Sequence, residues 1–369
     1  MINILFLITG LNVGGAEMQV YHMIKRLKKI EACHPIVVSL LEPGPVGQKL
    51  KDEKVKVYSL QMERGKMELK AITKLNKIVK QEEIHLVHSH LFHANVLARV
   101  IKIFNPRIKI VTTIHNLNIG GRNREKILQY TNFLSQSNTI ISETARQYFI
   151  KKGAFANNQL KLIPNGVDME EFQSNEQLRI KTREQLQIGD AFVWLAVGRF
   201  EVQKNYYNML RAFSILVESQ RNIQLLLAGT GPLLEEMKEL AAKLNITEYI
   251  HFLGYQSNIS ALMNVADGYV MSSSWEGMPL VLLEASAVGI PIVCTDVGGN
   301  KEVVLDTETG YIVKPDCHTS LAGGMNRLMS LTTHERLNMG ENAKAYMRER
   351  YEMNQIMEHW KAIYKEALS

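Results

Sequence analysis

Residues 2–8 read Ile-Asn-Ile-Leu-Phe-Leu-Ile, a short and nearly unbroken apolar run. Apolar residues at helical spacing follow between Ala16 and Lys29, at Val20, Met23, Ile24 and Leu27. A run of that length predicts a strand buried on both faces, and a period near 3.6 predicts a helix packed against it. The alternation continues. Strands are predicted at 36–41, 55–60, 86–88, 108–114 and 138–141, with helices near 68–82, 91–104, 123–136 and 143–152. The plan then repeats, with strands at 192–197, 224–228, 250–252, 268–271 and 291–294. Helices are predicted near 206–219, 232–244, 258–265 and 279–288, and residues 319–368 read as helical throughout. Strands separated by helical stretches imply βαβ units and parallel sheets.

Two such halves in 369 residues suit two α/β domains rather than one core. The turn Asn165-Gly166-Val167-Asp168, followed by the polar stretch 170–190, marks the boundary. The first domain is therefore expected over 1–170 and the second over 171–351.

Composition adds little until charge is divided along the chain. Residues 1–185 carry 28 Lys and Arg against 16 Asp and Glu, whereas the remainder carries 15 against 21. A basic first half suits an anionic partner: a lipid headgroup, a lipid diphosphate or nucleic acid. The first ten residues are apolar without a basic start or a small-residue cleavage site. No run of about 18 apolar residues occurs, so a membrane span is not expected. Three widely spaced cysteines, Cys33, Cys294 and Cys317, fit neither a metal nor a redox motif and are expected as buried thiols in a reducing compartment.

Three turns carry candidate chemistry. After the first strand, Gly10-Leu11-Asn12-Val13-Gly14-Gly15-Ala16-Glu17 lets backbone approach a ligand at a helix start. Its spacing is not that of the dinucleotide fingerprint. In the second half, Gly198-Arg199-Phe200-Glu201-Val202-Gln203-Lys204-Asn205 places two cations beyond a strand end, where a diphosphate would be held by an arginine fork and a lysine point charge. Further on, Glu276-Gly277-Met278-Pro279-Leu280 opens a helix whose start offers N–H groups to a phosphate. Glu284 sits within that apolar helix and needs a polar partner there. His88-Ser89-His90 with His93 has alternating histidines, which admit either a metal or a structural role. No Asp-x-Asp occurs in the chain.

Taken in order, these residues resemble the retaining GT-B glycosyltransferases of family 4. Gly14-Gly15 with Ala16-Glu17, Ile163-Pro164-Asn165-Gly166-Val167-Asp168, Gly198-Arg199 with Lys204-Asn205, Glu276 and Glu284 as E-x7-E, and Gly298-Gly299 span nearly the whole chain. The resemblance implies two Rossmann-like domains facing across a cleft, with a last helix, about 352–369, returning to the first domain. It implies that Arg199 and Lys204 hold a donor diphosphate and that Glu284 binds a ribose. Glu276 with Gly277, Met278 and Leu280 would face the sugar and its phosphate. Tyr255 and Gln256 would lie near the base, Gly15 would close over the phosphate, and His115 would face the sugar. Glu276, His115, Arg199 and Lys204 are the residues expected to act in catalysis.

The resemblance further implies a nucleotide-sugar donor, with uridine as the expected base. The acceptor expected is a glycan, lipid-diphosphate-linked in view of the basic half and of Arg122, Arg124 and Lys126. Neither metal nor prosthetic group is expected, and nucleic acid is not expected as a partner. Assembly of a bacterial surface polysaccharide, by a protein lying at the inner face of the cytoplasmic membrane, is the corresponding biological setting. The alternatives are a sugar-nucleotide 2-epimerase on the same architecture and a non-catalytic binder of sugar nucleotides.

Overall fold

The computed structural model describes residues 2–63 and 68–369. The described residues divide into two compact units, 1–166 with 353–369, and 167–352. In the first unit seven strands form one parallel sheet: β1 (Ile2–Ile8), β2 (Cys33–Ser39), β3 (Lys56–Ser59), β4 (Leu86–His90), β5 (Lys109–Ile114), β6 (Ser137–Ile140) and β7 (Leu160–Leu162). Their order is β3-β2-β1-β4-β5-β6-β7, so the order reverses beside β1. The apolar run at 4–8 is fully buried because helices cover both faces.

One face of that sheet is covered by the helix Gly15–Leu27 and by the last helix, Met353–Leu368. Met353, Ile356, Met357, Trp360, Ile363 and Tyr364 share a core with Phe6, Ile8, Val20 and Ile24. Burying a side chain of this size contributes roughly 1.5–3 kcal/mol, so the last helix is a structural part of the first unit. The opposite face is covered by the helices Leu69–Gln81 and Phe92–Phe104.

The second unit holds β8 (Phe192–Val197), β9 (Ile223–Ala228), β10 (Ile250–Gly254), β11 (Gly268–Met271), β12 (Ile292–Thr295) and β13 (Gly310–Val313). All are parallel, in the order β10-β9-β8-β11-β12-β13. The order reverses beside β8, which is where ligands bind in open α/β sheets.

Several short or polar elements escape the sequence pattern. The helix Pro45–Asp52 is short and opens on Pro-Val-Gly. β7 and β13 are three and four residues long, at sheet edges. The helix Glu176–Gln185 has no buried residue. It is held instead by its Asn175 cap and by Arg179 and Arg183, which pair with Asp267. A helix anchored through guanidinium groups leaves no apolar stripe to read. The predicted helix at 123–136 ends at Thr131 and continues as a 3-10 turn over Asn132–Leu134. The stretch 319–368 is three helices, His318–Met329, Thr333–Arg350 and Met353–Leu368; the second is opened by a Thr332–Glu335 capping box. Of the cysteines expected to be buried thiols, only Cys294 is buried; Cys33 and Cys317 are half-buried, and all three are free.

Candidate active site

In the second unit, five strand ends converge. β8 runs into Gly198 and Arg199. Tyr206 donates its hydroxyl to the Gly198 carbonyl at 3.0 Å, and its ring stacks on buried Phe200 at 4.3 Å. Burial pushes the Tyr206 hydroxyl well above its ordinary value, so it remains a donor at neutral pH. The end of β9 passes so close that a Cβ on Gly229 would lie 1.9 Å from the Gly198 carbonyl oxygen. Beyond Arg199 a 3-10 turn, Val202–Lys204, ends at Asn205, whose left-handed backbone and side chain cap the helix Tyr206–Ser219.

That turn fixes Lys204. Ser272, at the end of β11, donates its hydroxyl to the carbonyls of Lys204 and Asn205 at 2.8 and 2.9 Å. The Ser274 N–H donates to the Gln203 carbonyl at 2.9 Å. The Lys204 ammonium then donates to Glu276 Oε1 at 2.7 Å, and Gln203 Nε2 donates to Glu276 Oε2 at 3.2 Å and to the Trp275 carbonyl at 2.9 Å. Both oxygens of a buried carboxylate are thus held by donors from the facing turn.

From β12, Gly299 N–H donates to the Gly277 carbonyl at 2.7 Å. Gly277, Met278, Pro279 and Leu280 are buried beside it. The helix Leu280–Val288 starts after Pro279, which is its cap residue rather than part of its first turn as the sequence suggests. No side chain caps that start, and Glu284, one turn in, is buried. Tyr255 and Gln256 follow β10. Tyr255 is half exposed, and the Gln256 amide donates to the Leu253 carbonyl at 2.7 Å.

Arg199, Lys204, Tyr255, Gln256, Glu276, Gly277, Met278, Leu280 and Glu284 therefore all lie at the carboxyl end of one sheet. Arg199 is half exposed and ion-pairs with Glu201 at 2.7 Å, its side chain lying in solvent rather than packed. Gln203 is the residue that reading by motif passes over. Its signal was its place on the same turn, one position before Lys204.

Gly15 and His115 lie in the first unit. Gly14 is the extended cap of the helix Gly15–Leu27, and the Glu17 carboxylate folds back over it, within 2.4 Å of where a Cβ would stand. His115 follows β5 and is buried, with Nε2 2.9 Å from Nδ1 of His90 at the end of β4. Burial lowers the His115 pKa to about 4, and holds His88 and His90 well below the ordinary imidazole value. All three rings are neutral at pH 7. His88 uses both nitrogens, on the Tyr364 hydroxyl at 2.8 Å and the Thr113 hydroxyl at 2.7 Å, so it has none left for a metal.

An open parallel sheet with cations, buried carboxylates and a helix start at its switch point is the arrangement at which open α/β proteins receive ligands. Comparison with known proteins makes the class specific. Residues 13–171 match the model of Glycosyltransferase Family 4, and residues 179–346 match that of Glycosyl transferases group 1. Together they span most of the chain, which belongs to the group 1 glycosyltransferases, with the GT-B fold. Among relatives, an uncharacterized glycosyltransferase of Methanocaldococcus jannaschii is 30% identical over 264 residues, 67% of this chain and 64% of that protein. The chain thus spans a little under two thirds of that relative's length. The N-acetyl-alpha-D-glucosaminyl L-malate synthase of Bacillus anthracis is 27% identical over 82% of this chain and 80% of its own. The UDP-Gal:alpha-D-GlcNAc-diphosphoundecaprenol alpha-1,3-galactosyltransferase of Escherichia coli is 26% identical over 75% of this chain and 74% of its own. Among solved structures, Anabaena HepE in complex with UDP superposes with a TM-score of 0.86 at 21% identity, covering 99% of this chain and 100% of that one.

Proposed function

We propose that the protein transfers a sugar from a UDP-sugar to a glycan acceptor carried on a lipid diphosphate, with retained anomeric configuration, in assembly of a bacterial surface polysaccharide such as capsule or O-antigen. The observation that carries the donor half of this reading is the Lys204–Glu276–Gln203 cluster beside the uncapped helix start at Leu280. Arg199 and Lys204 supply positive charge for a leaving diphosphate, and the helix start supplies N–H groups. This is a charge arrangement that stabilises a departing anion without a metal ion. Glu284 serves the ribose hydroxyls from the same helix, and Tyr255 and Gln256 stand at the end of edge strand β10 for the base. That HepE binds UDP supports the choice of base.

Retention by double displacement needs a bare carboxylate under the anomeric carbon. Glu276 has both oxygens engaged by Lys204 and Gln203, which favours departure and attack on one face, with the leaving phosphate taking the acceptor proton. The first test is thermal stabilisation by UDP, GDP, ADP and their sugar conjugates, in excess EDTA. A ligand at 100 times its Kd stabilises by about 2.7 kcal/mol. The expected result is a selective upward shift with uridine nucleotides. Equal shifts with all bases, or a shift that needs divalent metal, would overturn the corresponding part of the reading.

The acceptor half draws on the first unit's surface. The helix Arg122–Thr131 and the turn after it present Arg122 and Lys126 on the outside, together with Ile127, Tyr130 (70% exposed) and Phe133 (77% exposed). Basic groups beside exposed aromatics suit an anionic lipid surface. No helix among the described residues is long and apolar enough to cross a membrane, so contact at the surface is the mode proposed. The name of the Escherichia coli relative, with its diphosphoundecaprenol acceptor, points the same way. Co-sedimentation with phosphatidylglycerol vesicles is expected to exceed that with phosphatidylcholine vesicles, and to fall at least fivefold in the Tyr130→Ser, Phe133→Ser double variant. Binding unaffected by lipid charge and by both substitutions would remove the membrane from the proposal.

A further inference from the structure

His90 and His115 end neighbouring strands of the first sheet, and only one proton can sit between His90 Nδ1 and His115 Nε2. The outer nitrogens, His90 Nε2 and His115 Nδ1, are buried and have no hydrogen-bond partner among the described residues. Each ring is neutral and carries one proton, so two arrangements exist. If His115 Nε2–H donates, the unpartnered N–H falls on His90 Nε2. That ring has no exposure at all, lies stacked on Phe6 at 5.9 Å, and stands 4.0 Å from the ring of His88, whose nitrogens are both in use. If His90 Nδ1–H donates, the deeply buried nitrogen keeps only a lone pair, and the unpartnered N–H moves to His115 Nδ1. His115 retains 6% of its surface, beyond the strand end. Each arrangement leaves one buried N–H unpartnered; the second leaves it on the ring at the strand end that keeps some exposure, where a ligand oxygen can reach it, so the second is preferred.

We infer that His90 is a positioning residue: by donating from Nδ1 it fixes His115 as the Nδ1–H tautomer, a neutral donor aimed at a ligand hydroxyl or other oxygen acceptor. The pairing follows from this unit alone. That the oxygen belongs to a sugar rests on the function proposed above. A neutral donor of this kind orients a hydroxyl without adding charge.

The test has two arms on the full chain. In protein labelled with ¹⁵N at histidine, long-range ring correlations report which nitrogen carries the proton, with His90 and His115 assigned by single substitution. Both rings are expected protonated at Nδ1 and bare at Nε2; a His115 ring protonated at Nε2 overturns the inference. In the second arm, His90→Phe keeps a stacked ring but removes the donor, whereas His90→Asn places an amide N–H where Nδ1 stood. Turnover is expected to fall about tenfold or more in His90→Phe, with the donor KM within about threefold, and to recover in His90→Asn. Wild-type turnover in His90→Phe, or an Asn variant as impaired as the Phe variant, counts against it. Should His90→Phe not fold, the tautomer of the unsubstituted protein decides the matter. The expected tautomer in a protein that transfers no sugar would leave the pairing standing and remove the sugar as its ligand.

Discussion

Alanine at Lys204 is expected to lower turnover by about 10²–10³-fold, the cost of removing one preorganised charge from a developing anion. The structure adds a second consequence. Lys204 donates to Glu276, whose side chain is only 7% exposed, so the substitution leaves a buried carboxylate with Gln203 as the donor identified on its other oxygen. A group stranded in this way costs about 1–3 kcal/mol, so the variant should also melt at lower temperature. The two effects separate in the double variant Lys204→Met, Glu276→Gln, which removes both charges together. Its melting temperature should return toward that of the parent while turnover stays low. Steady-state kinetics with the donor found by thermal shift, alongside melting curves, checks both. Turnover near that of the parent in Lys204→Ala would take Lys204 out of the site.

The substitution Gly298→Ala is expected to do comparable damage without touching any charged group. Gly298 has φ +53°, and a Cβ there would lie 2.0 Å from the Glu276 carbonyl oxygen. That clash is with backbone, so no rotamer relieves it, and the Glu276 segment must move away from Lys204. A loss of about 2–4 kcal/mol is expected from the strained backbone and the displaced turn together. Gly189→Ala is the control: φ is +63°, but nothing lies within 4 Å of the new methyl, so only the left-handed backbone cost of about 1 kcal/mol applies. Similar melting temperatures for the two variants would show that the close approach at Gly298 does not constrain the site.

The strands at the centre of each sheet were legible because burial on both faces writes an apolar run into the chain, as at Ile4–Ile8 and Phe192–Val197. Edge strands such as Leu160–Leu162 are too short to do so, and the helix Glu176–Gln185 replaces an apolar stripe with arginine-to-carbonyl bonds. In the candidate site, glycine turns and out-of-place charges marked positions but not partners. Nothing in the spacing of Lys204 and Glu276, 72 residues apart, shows that they meet. The pairing arises from Ser272 binding the Lys204 turn to the end of β11, a contact between a hydroxyl and two carbonyls that any serine could make. The same limit holds for His90 and His115, which alternation and strand-end placement flag singly and only adjacent strand register joins.

The last helix has a consequence for how the protein is made. Phe6 and Ile8 leave the ribosome long before Met353, Ile356 and Trp360, yet the core that buries them includes those three. The first unit cannot close this face until residues 353–368 emerge, whereas residues 167–352 are already complete by then. During synthesis the earlier half therefore waits with an apolar sheet face uncovered while the later half folds. A stop codon or proteolytic nick near residue 352 would leave that face permanently open to chaperones and to aggregation.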